Sequence, residues 1–161
     1  MTERNGANAK KSGKPCIVVI DGMGGGIGEE LIRRLVSFFS LKKETAKTET
    51  APLDIEILAL ATNAVAAERM VRAGAARGAA GENAIRQSVA LGDFILGPIG
   101  IIIANSMLGE ITPAMTESIL AAPGRRILIP LQNDHIILAG MENLPLSKMI
   151  DKAVEMVKNL L

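Results

Sequence analysis

Cys16-Ile17-Val18-Val19-Ile20-Asp21-Gly22-Met23-Gly24-Gly25-Gly26-Ile27-Gly28 is the stretch on which the fold turns. A short apolar, β-branched run ends at an acid and a glycine cluster, which suits a strand buried on both faces. From Gly28 onward Leu31, Leu35 and Phe38, with Ile32, Val36 and Phe39, recur at helical spacing. Glu29 and Glu30 favour a helix N-terminus through its dipole. The unit reads as strand, glycine turn, helix.

The same alternation continues along the chain. Residues 41–52 (LKKETAKTETAP) are polar and charged, and predict a surface loop before a strand over Leu53 to Ala61. Asn63 caps a helix over Ala64 to Ala73 that stops at Gly74, and a weak, Ala-rich third strand falls within Ala75 to Ala80. Gly81 or Asn83 opens a helix ending near Gly92. Asp93 to Leu96 reads as a fourth strand running into Gly97-Pro98-Ile99-Gly100, followed by a short helix over Ile101 to Leu108. Thr112-Pro113 supplies a cap and a first-turn proline for a helix to about Ala122. Arg126 to Leu131 is a fifth strand, Gln132-Asn133-Asp134 a turn or site loop, His135 to Ala139 a sixth strand, and Leu146 to Leu160 a last helix. Alternating strands and helices predict an α/β fold: a three-layer αβα sandwich of Rossmann-like type with a mostly parallel five- or six-stranded sheet. Residues 1–14 lack large apolar side chains after Met1 and read as a disordered polar tail; residues 15–161 read as a single domain.

Composition narrows the chemistry. The 161 residues are 48% hydrophobic but 2% aromatic, with no Tyr and no Trp, which excludes a tyrosine general acid and a Tyr or Trp platform for stacked bases. A formal charge of +1 gives no field for a nucleic-acid backbone or an anionic membrane, so neither partner is expected. Cys16 and His135 are the only residues of their kinds, which rules out internal disulfides, Cys clusters and multi-histidine metal sites, and no metal is assigned. The start has no signal-peptide pattern, and the longest uncharged run, Phe94 to Gly109, is too short and broken to span a bilayer, so a cytoplasmic protein is expected. Cys16 reads as an inert core thiol and His135 as a structural residue heading a strand.

The glycines do not fit G-x-G-x-x-G. Gly22, Gly26 and Gly28 fit G-x-x-x-G-x-G, a spacing that resembles short-chain dehydrogenases, and Gly22, Gly24 and Gly26 fit the G-x-G-x-G loop of methyltransferases that bind S-adenosylmethionine. Either loop lets backbone amides approach a ligand at the positive end of a helix. Two features oppose a dinucleotide: Asp21, Glu29 and Glu30 crowd the phosphate site with carboxylates, and the strand ending at Ala61-Thr62-Asn63 carries no acid for a ribose diol. The alternative is that the glycines serve only a tight turn and close packing.

IDGMGGGIG at 20–28, GENAI at 81–85, GPIGIIIANSMLGEITPAM at 97–115 and ILIPL at 127–131 together resemble a family of small bacterial Rossmann-like proteins catalogued as a domain of unknown function. The resemblance covers about residues 16–161 and implies a Rossmann-like fold without an established activity. Loops after the strands then collect the binding candidates: Gly22, Gly24, Gly25, Gly26, Ile27 and Gly28; Thr62 and Asn63; Asn83 beside Glu82; Gly97, Pro98 and Gly100; and Asn105 beside Ser106. Glu110 is the acid/base candidate, with a solvated residue before the Thr112 cap as the plainer alternative. NAD or NADP is the expected cofactor and a nucleotide the expected partner; a regulatory or assembly subunit and S-adenosylmethionine binding are the alternatives. Ile99, Ile101 to Ile103 and Leu108 suit either the core or the interface of a homo-oligomer.

Overall fold

The structure, a computed structural model, describes residues 13–45, 54–131 and 136–161. Among the described residues five strands and five α-helices follow one another: β1 (Cys16–Asp21), α1 (Gly26–Thr45), β2 (Glu56–Ala61), α2 (Ala64–Arg72), β3 (Arg77–Ala80), α3 (Glu82–Ser88), β4 (Phe94–Pro98), α4 (Pro113–Ala121), β5 (Arg125–Ile129) and α5 (Leu146–Leu160). Short 3-10 turns at Val89–Leu91 and Ile99–Ile102 close α3 and follow β4.

The sheet is parallel throughout, in the order β3-β2-β1-β4-β5. β1 is central, with Val18 between Leu58 of β2 and Ile95 of β4. Successive side chains of a strand face opposite ways, and the apolar run of β1 serves two cores. Ile17 and Val19 pack with Leu31, Leu35, Met70, Ile150 and Val154 beneath α1, α2 and α5. Val18 and Ile20 pack with Ile85, Ile101, Ile111 and Ile119 on the side of α3 and α4. Burying such a side chain stabilises by about 1.5–3 kcal/mol, so aliphatics with Phe39, Phe94, Met70 and Met115 supply a full core without Tyr or Trp. The chain builds outward from β1 through β2 to β3, then returns to place β4 on the other side of β1. The switch point therefore lies between β1 and β4, where open parallel sheets leave a crevice beyond the strand ends.

Three expectations are corrected. First, α1 continues through Thr45, so the first five residues of the loop expected over 41–52 are helical; Leu41, Lys42, Lys43 and Glu44 are strong helix formers. Residues 46–52 lie outside the described residues. Second, no helix forms over Ile101 to Leu108. After the 3-10 turn, Asn105, Met107 and Leu108 take φ of 64°, 54° and 55°, and Gly109 takes 86°. The chain has to reverse here because Ile101 and Ile111 are both fully buried, and the Asn105 N–H donates to the Ile111 carbonyl at 2.7 Å across the reversal. Third, the sixth strand expected over His135 to Ala139 is absent among the described residues: Ile136 makes an isolated bridge and Ile137 is 90% exposed, with no core to bury. His135 itself lies outside the described residues, as do Gln132, Asn133 and Asp134.

Candidate functional site

β1 delivers Asp21 to the start of the glycine turn, where its side chain is buried. One carboxylate oxygen accepts from the Gly22 N–H at 2.8 Å and the other from the Gly28 N–H at 2.7 Å, so the chain's own acid caps α1. The turn closes with the Gly25 N–H on the Gly22 carbonyl at 2.9 Å, and Met23 and Gly25 take φ of 49° and 70°. Burial pushes the Asp21 carboxyl above its ordinary value, opposed in part by the amides of Gly28, Gly22 and Ile27 and by the charge of Arg69. The crowding of acids expected here is relieved by arginines. Glu29 pairs with Arg33 and Arg69, which hold its carboxyl below the usual range, and Arg69 also donates to the Gly24 carbonyl at 3.1 Å; Glu30 turns to Arg34.

Glu110 comes from the reversed loop after β4 and reaches the carboxyl ends of β1 and β2. Its Oε2 accepts from the Met23 N–H at 2.7 Å, from the Thr62 hydroxyl and from the Asn63 Nδ2 at 3.1 Å. Asn63 is doubly used: its Oδ1 accepts from the Ala66 N–H at 2.9 Å and caps α2, while its Nδ2 also donates to the Met23 carbonyl at 3.0 Å. The Thr62 hydroxyl, the Met23 amide and Asn63 together hold the Glu110 carboxyl below its ordinary value, against a smaller opposing effect of burial. At neutral pH it is a carboxylate.

The glycines divide by what surrounds them. A Cβ on Gly22 would lie 2.7 Å from Thr62 Oγ1, 2.8 Å from Met107 Sδ and 2.9 Å from Glu110 Oε2, so this glycine makes room for the protein's own side chains. Gly28 makes room for Met70 and Asp21, Gly25 for Ala66, and Gly97, within β4, for the Ile20 carbonyl of β1. Met107 also reaches Gly100, so its thioether lies between the two glycine segments at the switch point. Gly24 and Gly26 differ: nothing lies within 4 Å of a Cβ on Gly24, and only an Arg69 nitrogen, at 3.9 Å, meets one on Gly26. These two face open space.

The structure thus brings together Gly22 through Gly28, Thr62, Asn63 and Glu110, with Gly100 across the Met107 side chain; Gly97 and Pro98 are buried within β4, Gly97 against the Ile20 carbonyl and Ile101. Asn83 is not joined to them; it is exposed in the first turn of α3, where neighbouring Glu82 accepts from the Thr112 hydroxyl at 2.7 Å. Asn105 is exposed at the reversal, and the Ser106 hydroxyl donates to the Gly100 carbonyl. Arg69 and Met107 were not legible as site residues, because each gains its role from the packing of one element beside another. Among the described residues no group of three or more His, Cys, Asp or Glu could hold a metal ion, and no helix is long and apolar enough to cross a membrane.

A parallel sheet in this order, with a glycine turn beside its switch point, defines an α/β protein of Rossmann-like type. The chain belongs to the family described as Domain of unknown function (DUF3842), which matches residues 16–161. No curated protein and no solved structure gives a significant match.

Proposed function

We propose that the protein binds a nucleoside-bearing small molecule, the class that includes NAD, NADP and S-adenosylmethionine, in the crevice beyond the carboxyl ends of β1, β2 and β4. One observation carries the reading. Among the described residues, all four non-glycine residues with positive φ, Met23, Asn105, Met107 and Leu108, fall in the two loops that meet at Glu110. Left-handed backbone costs roughly 1–3 kcal/mol at such residues and clusters at ligand clamps, where surrounding contacts enforce it. Here the Met23 N–H is bonded to Glu110, and bonds from the Asn105 N–H to the Ile111 carbonyl and from the Glu110 N–H to the Met107 carbonyl hold the second loop. The position at the switch point and the open faces of Gly24 and Gly26 support the same reading.

The test is isothermal titration of the full chain with adenosine, NAD, NADP and S-adenosylmethionine, repeated on Gly26→Val. A Cβ there meets only an Arg69 nitrogen, at 3.9 Å, so the variant is expected to stay folded and lose the ligand. Unchanged affinity in the variant, or no binding of any of the four, would sink the reading. A role as an assembly subunit, including a homo-oligomer, is the second reading. It is favoured by Leu108, 93% exposed in the same loop, and a defined multimer without ligand affinity would replace the first reading with it.

A further inference from the structure

We propose that Glu110 is the acceptor for the ribose diol of the ligand, taking over from the loop after β4 the role that a strand-terminal acid on β2 performs in other Rossmann-like proteins. This rests on the reading above that a nucleoside-bearing molecule binds in the crevice.

Nucleotide-binding sheets of this topology commonly place a carboxylate beyond the second strand, where it hydrogen-bonds the ribose hydroxyls. The chain has Thr62 and Asn63 at that place instead. Both donate to Glu110, the Thr62 hydroxyl directly and the Asn63 amide at 3.1 Å, so a carboxylate does stand at the end of β2, although it arrives from 47 and 48 residues further along the chain. Its three donors among the described residues all use Oε2, which leaves Oε1 without a protein partner there. A carboxylate whose one oxygen is held by the scaffold and whose other oxygen keeps its acceptor capacity is a positioned acceptor for a pair of hydroxyls. Met23, whose N–H is bonded to this carboxylate, is half exposed and offers apolar surface on which a base can lie in a protein without Tyr or Trp. An acceptor at this place selects a free 2′-hydroxyl. It loses its bond to a 2′-deoxy sugar and repels a 2′-phosphate.

The experiment is calorimetric titration of the full chain with adenosine, 2′-deoxyadenosine and adenosine 2′-monophosphate, alongside Glu110→Gln. The parent is expected to bind the deoxynucleoside about tenfold more weakly than adenosine, and the 2′-phosphate at least as poorly. In Glu110→Gln the penalty on the 2′-phosphate shrinks, because the repelling charge is gone. Equal affinity of the parent for adenosine and 2′-deoxyadenosine overturns the assignment while leaving the binding site standing, and this ratio needs no variant to fold. If none of these three compounds binds, nor NAD nor S-adenosylmethionine, the binding reading fails and the assignment falls with it.

Discussion

Replacing Glu110 with glutamine keeps the shape of the side chain and removes its charge, so it weighs the contact that joins the two strained loops. In the parent, one carboxylate oxygen accepts from the Met23 amide, the Thr62 hydroxyl and the Asn63 amide. Hydrogen bonds to a charged group contribute about 1.5–3 kcal/mol each and neutral ones about 0.5–1.5, a difference of about 1 kcal/mol per bond. Glu110 is partly exposed and its donors share one oxygen, so the expected loss is about 1–2 kcal/mol rather than the full sum. For a chain of this size that is a fall in melting temperature of about 3–6 °C.

The pH dependence provides the sharper check. The folded value of Glu110 is depressed, so the native state binds its proton less readily than the unfolded chain does. Its stabilisation is therefore fully present above the ordinary value of 4.5 and is lost as pH falls through the lowered folded value. Glutamine does not titrate, and the other carboxylates titrate in both proteins, so the gap between the two melting curves isolates Glu110. Circular-dichroism melts from neutral pH downward should show the gap closing below 4.5. Coincident melts at neutral pH, or a gap that persists undiminished into acid, would refute the reasoning.

Two further outcomes follow from the packing. Gly97→Ala drives a Cβ to 2.3 Å from the Ile20 carbonyl between β1 and β4, where neither backbone can yield cheaply. A loss of about 3 kcal/mol and a urea midpoint lowered by about 1 M or more are expected, with Gly24→Ala, which meets nothing within 4 Å, as the unaffected control. Equal midpoints for the two variants would show that β1 and β4 do not pack this closely. Thr112→Ala removes the cap on the Met115 N–H, at 3.1 Å, and the hydroxyl donated to Glu82. It should cost about 1 kcal/mol and speed amide exchange in the first turn of α4, with Thr112→Ser restoring most of both; an alanine variant as stable as the parent would deny the cap any weight.

How much of this was legible beforehand depends on the range of the interactions concerned. Asn63 and Thr112 announce helix starts by type and position, and both accept the expected backbone bonds; α5 spans Leu146–Leu160 as its apolar spacing requires. The β-branched run of β1 likewise declares a strand covered on both faces, because only double-sided burial suits five apolar residues in succession. The segment 101–108 misleads for the opposite reason. Its apolar residues suit a helix in isolation, yet burial of Ile101 at its start and of Ile111 just beyond its end forces a reversal through left-handed residues whose local cost is met by distant contacts.

The candidate site shows the same division. The sequence by itself determined the alternation of strands and helices, the glycine turn after β1 and the candidacy of Gly22 to Gly28, Thr62, Asn63 and Glu110, since these depend on neighbours along the chain. Only the tertiary structure decided that Asp21 caps α1 from beneath, that Gly22, Gly25 and Gly28 make room for the protein's own atoms while Gly24 and Gly26 stay open, and that Glu110 stands at the end of β2. Those relations join residues from separate elements: α2 packs Ala66 and Met70 against the glycine turn, and the return of β4 to the far side of β1 brings Glu110 within hydrogen-bonding distance of Asn63. A one-dimensional pattern carries the period of each element, whereas the meeting of Thr62 with Glu110 depends on how the sheet is ordered.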